Sequence, residues 1–292
     1  MRRSLLFIPS NSPAMLQNAD VFGVDSVIFD LEDSINEQEK DAARILLSHY
    51  LELFPFVENF EIIVRINAFD FPLLLNADLK TLPLNKISTI MLPKASLKNV
   101  VELTKILRTL EKTFNLQKEL KIIPLIELAS SLIEVYEIAA QPRVSGLLLG
   151  AEDLTTDLKV KRTKKGDEIL LARSMVVLAA RANDIDAIDT PFTDINDLRG
   201  LKEDSLLAKS LGMNAKAAIH PSQIETINNS FSPSEAEIEE ALTILELAEK
   251  AKKEGKGAFS YQNKMVDKPI LKRAKNLVLM AQKWNLRPKD EK

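Results

Sequence analysis

Cysteine is absent from this 292-residue chain, which excludes disulfides, thiolate nucleophiles and cysteine metal sites together. Histidine is scarce: His49 and His220 are the only two, so a His-rich zinc centre has too few ligands. His49 lies in a helical context and reads as an exposed or boundary residue. The fingerprints GxGxxG, GxxxxGK[ST] and HExxH are missing, which removes dinucleotide, P-loop and zincin readings. Neither sign of charge dominates. A net charge of −3 gives no electrostatic case for nucleic acid or an anionic membrane as partner. Long apolar runs are missing too. Met1 to Pro9 imitates the start of a signal peptide, but its apolar stretch stops at Pro9, and no other run has the length of a bilayer span. The expectation is a soluble, cytoplasmic protein.

Short apolar runs do recur, in a chain that is 46% hydrophobic and 28% charged. They fall at 5–9, 26–32, 61–67, 89–94, 121–127, 146–153, 186–192 and 216–221. Each is near-continuous rather than alternating, as in strands of a parallel sheet buried on both faces. Amphipathic stretches such as 97–114 and 169–183 separate them. Eight strand–helix units predict an α/β fold, a (β/α)8 TIM barrel over 1–230, with an open doubly wound sheet as the rival that periodicity does not separate. A C-terminal helical extension is expected over 231–292. It has a helix at 235–254, interrupted by Gly255 and Gly257, then an irregular segment at 259–269 and a last helix through Trp284.

The ends of the runs carry the polar residues: Asp30 with Glu32, Arg65 with Asn67, Lys94, Glu127, Asp153, Asp189 and His220. In a barrel these C-terminal strand ends open on one face, where active sites are built. Glu127 and Asp153 would be neighbours on adjacent strands. Two oxygen donors without a nearby His or Cys suit a hard cation, Mg²⁺ with retained waters. Capping of the following helix is the competing role, favoured for Glu152 and left open for Asp153. Arg65 can grip a carboxylate through two hydrogen bonds, or pair structurally with Asp30 or Glu32. Asp30, Glu32 and Asp33 are read as acids behind the ligands, holding Arg65 and metal-bound water, with Lys94 in the same supporting role.

The motifs RSLLFIPSNSPAM, VIFDLEDSI, VRIN, MLPK, PLIE, GAEDL, IHPSQI and KMVDKP occur in this order from Arg3 to about Pro269. Together they resemble the citrate lyase β subunits, the citryl-thioester lyases of the HpcH/HpaI aldolase/citrate lyase family. Arg162-Thr163, Gly166, Glu168 and Leu170 to Arg173 look more like that branch than like its malyl-CoA or citramalyl-CoA relatives. The resemblance implies a TIM barrel and Mg²⁺ on the residues matching Glu127 and Asp153, with Glu127 also facing substrate. It implies a substrate arginine at Arg65 and a catalytic aspartate at Asp267 that reaches the site from a neighbouring subunit. The implied reaction is retro-Claisen cleavage of a citryl thioester, on acyl carrier protein or CoA, to an acetyl thioester and oxaloacetate.

The implied assembly is a homotrimer or hexamer, in a complex with acyl-carrier and CoA-transferase subunits. Three positions depart from the family pattern: Ser10, Ala215 and Asn263 stand where Gly is usual. Three rival readings stay open. One is a malyl-, citramalyl- or β-methylmalyl-CoA lyase or thioesterase, and another a non-catalytic scaffold that docks a carrier protein. The third, a phosphoenolpyruvate-type barrel, is weakened because no Gly-rich phosphate loop follows strands seven or eight.

Overall fold

A computed structural model describes residues 2–56, 60–253, 259–262 and 264–286. It divides into two compact units, Met1–Phe231 and Ser232–Lys292. In the first, eight parallel strands close into a barrel in sequence order. They are β1 (Ser4–Pro9), β2 (Ser26–Asp30), β3 (Glu61–Arg65), β4 (Thr89–Leu92), β5 (Lys121–Ile126), β6 (Gly146–Leu149), β7 (Asp186–Asp189) and β8 (Ala215–Ala218). The strands are shorter than their apolar-plus-acid runs. Asp30, Arg65 and Asp189 are the last residues of their strands, whereas Glu32, Asn67, Lys94, Glu127, Asp153 and His220 lie in the loops and helices beyond. The helices are α1 (Pro13–Gln17), α2 (Lys40–Leu53), α3 (Pro72–Thr81), α4 (Leu97–Thr113), α5 (Ala129–Ile133), α6 (Val135–Ala139), α7 (Ala151–Asp157), α8 (Leu170–Ala182), α9 (Leu198–Leu211) and α10 (Ile224–Phe231). A closed parallel sheet surrounded by helices is the (β/α)8 barrel, and the open sheet is excluded.

The two-residue period of the strands sorts every side chain to one wall or the other. Leu5, Ile28, Ile63, Met91, Ile123, Leu125, Leu148, Ile188, Ala215 and Ala217 form a closed cluster inside the barrel. Their neighbours Leu6, Val27, Phe29, Val64, Ile90, Leu92, Ile126, Leu147 and Leu149 join the larger core between strands and helices. Both faces are therefore buried, which is why the runs read as continuous rather than alternating. At the N-terminal end of the barrel Glu61 accepts hydrogen bonds from Arg2, Ser26 and Thr89, and Arg2 also pairs with Asp186 at 2.7 Å. This polar plug leaves the opposite end as the open one.

Parity corrects one expectation. Asp189 lies one residue past inward-facing Ile188, so its carboxylate turns to the helix layer. There it takes two hydrogen bonds from Arg173 of α8 at 2.8 and 2.9 Å, and one from Lys216 of β8 at 2.6 Å. Asp204 of α9 completes the cluster, bonding Arg173 at 2.7 Å and Lys216 at 2.6 Å. Two cations and two anions thus tie β7 and β8 to two helices, out of contact with water.

The second unit contains α11 (Glu235–Lys253), a two-stranded antiparallel hairpin β9 (Phe259–Tyr261) and β10 (Lys264–Val266), and α12 (Lys268–Lys283). Ala241, Ile244, Val266 and Ala274 form its core. The segment expected to be irregular is mostly this hairpin. Gly255, Gly257 and Asn263 lie outside the described residues. No described helix is long and apolar enough to cross a membrane.

Candidate functional site

Strand parity builds the site. Asp30, Arg65, Glu127 and Gly150 each follow an inward-facing core residue by two positions: Ile28, Ile63, Leu125 and Leu148. All four therefore point into the barrel's C-terminal mouth. They line a cavity of about 210 Å³ together with Phe7, Asp153 and Thr190. A larger hollow of about 640 Å³ lies at the other end, between residues 80–87 and 114–118, and has no converging carboxylates.

Arg65 is held on two sides. Its Nε and Nη2 donate to Asp30 Oδ1 and Oδ2 at 2.7 and 2.6 Å. Its Nη1 lies 3.0 Å from Glu32 Oε2 and 3.6 Å from Asp33, and the guanidinium carbon sits 5.1 Å from the centroid of the Phe7 ring. Burial works against the Arg65 charge, but Asp30 and Glu32 more than offset it and raise its pKa. Burial likewise opposes ionisation of Asp30, and the arginine prevails, leaving that carboxyl below its ordinary range. The Asp30 fork takes Nε and Nη2, so Nη1, ion-paired with Glu32 at 3.0 Å but without a hydrogen bond among the described residues, is the edge that borders the cavity.

Glu127 is 2% exposed. Its Oε1 accepts from the Lys94 backbone N–H at 2.5 Å. Lys94 has left-handed backbone, φ 46°, a conformation that costs a non-glycine residue about 1–2 kcal/mol. The same residue holds its Nζ 4.0 Å from Glu32 Oε1. On its other side Glu127 packs against Gly150, opposite it by continuation of the Ile126–Leu149 register. A Cβ at Gly150 would stand 2.6 Å from Glu127 Cβ and 2.9 Å from Oε2. Only glycine leaves room for the carboxylate, a requirement that the sequence showed as GAED without explaining.

The acids of GAED are not a strand end. β6 stops at Leu149, Gly150 is the N-cap of α7, and Glu152 and Asp153 occupy its first turn, where the helix dipole favours acid. Glu152 therefore does not cap the helix. It is exposed and lies 3.6 Å from Arg162 Nε. The N–H of Ala151 donates to Thr190 Oγ1 at 3.2 Å, which fixes the start of α7 against the end of β7. Thr190 had no signal in the sequence beyond its place after a strand.

The electrostatics of the mouth are unbalanced. Among the described residues Arg65 pairs with Asp30, Glu32 and Asp33, and Lys94 stands 4.0 Å from Glu32. Lys40 donates to the Leu31 and Glu32 carbonyls, and Glu127 and Asp153 form no ion pair among the described residues. Burial pushes the Glu127 carboxyl up to about 8; the Lys94 N–H opposes this, and the charges of Glu32 and Asp153 add to it. Burial also raises Glu32 to about 7; Arg65 counters it, while Asp33 and Asp30 reinforce it. Glu32 Oε2 is buried without a hydrogen bond. Among the described residues no three His, Cys, Asp or Glu side chains converge on one point. The pair Glu127 and Asp153, all oxygen and short of positive charge, fits a hard divalent cation that keeps several waters.

Ser10 and Ala215, at positions where the family has Gly, are absent from the left-handed residues, so neither strains the backbone. His220 is exposed and bonds Ser222 Oγ at 2.8 Å. Asp267 belongs to the second unit. It is exposed and caps α12, accepting from the Ile270 N–H at 3.3 Å.

Residues 3–221 match the family model described as HpcH/HpaI aldolase/citrate lyase. The chain is 38% identical to the citrate lyase subunit beta of Leuconostoc mesenteroides subsp. cremoris, over 96% of this chain and 93% of that one. Among solved structures, it resembles the Mycobacterium tuberculosis protein CitE in complex with magnesium, acetoacetate and coenzyme A. That match has TM-score 0.77 and 32% identity and covers 96% of this chain and 98% of the other. The citrate lyase beta subunit of M. tuberculosis, complexed with oxaloacetate and magnesium, matches at TM-score 0.67 and 32% identity, over 80% and 97% of the two chains. With a family match across three-quarters of its length and relatives aligned nearly end to end, the chain belongs to the HpcH/HpaI aldolase/citrate lyase family.

Proposed function

We propose that this enzyme is a Mg²⁺-dependent carbon–carbon lyase that splits a citryl thioester into an acetyl thioester and oxaloacetate. One observation carries the reading: Glu127, packed on Gly150, and Asp153, in the first turn of α7, line one cavity at the barrel mouth beside the fixed Arg65, and neither acid forms an ion pair among the described residues. The relatives solved with magnesium and with oxaloacetate support it.

In the reaction the tertiary hydroxyl loses its proton and the carbon–carbon bond breaks. The electron pair passes to the thioester half as an enolate, which takes up a proton to become the acetyl thioester. The hydroxyl carbon is left as the ketone of oxaloacetate. Mg²⁺ held by Glu127 and Asp153 supplies Lewis acidity toward the hydroxyl and its neighbouring carboxylate. Arg65 binds a carboxylate of the oxaloacetate half through its Nη1 edge, and the Asp30 fork fixes its angle, a positioning contribution. The Lys94 N–H and the bare Cα of Gly150 orient Glu127, whose carboxylate also faces substrate. Asp267 moves the proton, supplied from the second unit of a neighbouring subunit. The working form is then a trimer or hexamer in the cytoplasm, receiving its thioester from an acyl-carrier subunit or CoA, with a CoA-transferase subunit beside it.

Product analysis tests the reading. Citryl thioester yields oxaloacetate, citramalyl-CoA yields pyruvate, and malyl-CoA and β-methylmalyl-CoA yield glyoxylate. Oxaloacetate should dominate by kcat/KM. Preferential release of pyruvate or glyoxylate, or hydrolysis to free hydroxy acid, would replace it.

A further inference from the structure

Helix α12 carries charge of one sign. Its sixteen residues include Lys268, Lys272, Arg273, Lys275 and Lys283 and no acid, in a chain whose net charge is negative. Lys268, Lys272 and Lys275 fall at i, i+4 and i+7 and so share one stripe, which Leu279, 55% exposed, continues. The opposite face is the one buried in this unit, through Ala274 and Ala281. All three lysines are exposed and form no ion pair among the described residues. They do not serve the helix itself, because Lys268 and Lys272 lie toward its N-terminus, where the dipole disfavours cations.

We infer that this stripe docks an acidic helix of the protein that carries the thioester. The inference rests on the lyase reading above, which places Asp267 in the chemistry. The stripe begins at the next residue, so a partner seated on α12 docks beside that acid. The geometry favours a protein over a nucleotide. Lys268 to Lys275 extend over about 10 Å and Leu279 takes the stripe to about 16 Å, at 1.5 Å per residue. A phosphate would be met by converging cations, whereas a row at helical spacing, ending on an apolar side chain, matches carboxylates at helical spacing. Complementary charge of this kind sets recognition and association rate.

The test uses the full-length protein and the double variant Lys272→Ala, Lys275→Ala, which spares the Asp267 cap and keeps good helix formers. Binding of a holo acyl carrier protein with its phosphopantetheine arm is measured by calorimetry as salt is raised. Wild type should bind and weaken with salt, and the variant should lose about tenfold in Kd. KM for citryl-CoA should not change, while KM for the citryl carrier protein rises at constant kcat. Equal carrier binding by both proteins, or none by wild type, overturns the inference. A matching rise in KM for citryl-CoA overturns it too, by assigning the stripe to nucleotide phosphates. If neither thioester is cleaved by wild type the lyase reading fails, and the binding comparison still decides the stripe.

Discussion

Replacing Gly150 with alanine adds one methyl group beside Glu127, at the start of the helix whose first turn carries Asp153. The backbone there, φ −94° and ψ 83°, accepts alanine without left-handed strain. Loss of glycine's freedom in the unfolded chain favours the variant by about 0.4–1 kcal/mol. Against this, the new Cβ meets Glu127 Cβ at 2.6 Å and Oε2 at 2.9 Å, so one side must retreat by about 0.8 Å to reach ordinary contact at 3.4 Å. Overpacking of that kind costs about 1–3 kcal/mol, which leaves a net loss on the order of 1 kcal/mol and a melting shift of a few degrees. The fold survives. Metal binding does not survive intact, because Glu127 is the group that moves, and misplacing a ligand's support typically costs about 10–100-fold in affinity. Mg²⁺ titration by calorimetry, with circular dichroism as the folding control, reads both quantities. An alanine variant with wild-type Mg²⁺ affinity would show that the Glu127–Gly150 contact does not position the ligand.

Arg65→Lys keeps the charge but gives up the fork on Asp30 and the Nη1 edge, so turnover should fall by about 100-fold or more; near-normal kcat/KM would make Arg65 structural. Lys216→Met leaves Asp189 and Asp204 with Arg173 alone in a water-free cluster, which should remove about 3–5 kcal/mol and lower Tm by about 10 °C. An unchanged Tm would reject that. Glu127 and Glu32 have folded pKa values raised from 4.5 to about 8 and about 7. They therefore stabilise the metal-free fold fully below about pH 4.5 and withdraw that contribution as pH rises through 7 and 8. Added Mg²⁺ should restore more melting temperature at pH 8 than at pH 6, and a pH-independent shift would contradict the charge imbalance.

The sequence made the barrel legible because each strand is apolar on both faces and ends in a polar tail. It made Asp30, Arg65 and Glu127 legible because those tails retain inward parity. Asp189 was misplaced for the same reason, since a tail one residue out of phase turns to the helices. Gly150 was missed because its role is an absence of atoms, visible only when Glu127 is beside it. The cluster of Arg173, Asp189, Asp204 and Lys216 joins residues from four elements, and no local spacing announces it. The hairpin before α12 was hidden by strands of only three residues.

Oxaloacetate release from a citryl thioester, followed with Mg²⁺ and after chelation in wild type, Glu127→Ala and Asp153→Ala, addresses the account most directly. Wild type should lose activity on chelation and recover it with Mg²⁺. Both variants should remain folded, bind Mg²⁺ far more weakly and release no oxaloacetate. Full turnover in chelator, or either variant retaining activity with wild-type Mg²⁺ affinity, would contradict the assignment of the metal to this pair.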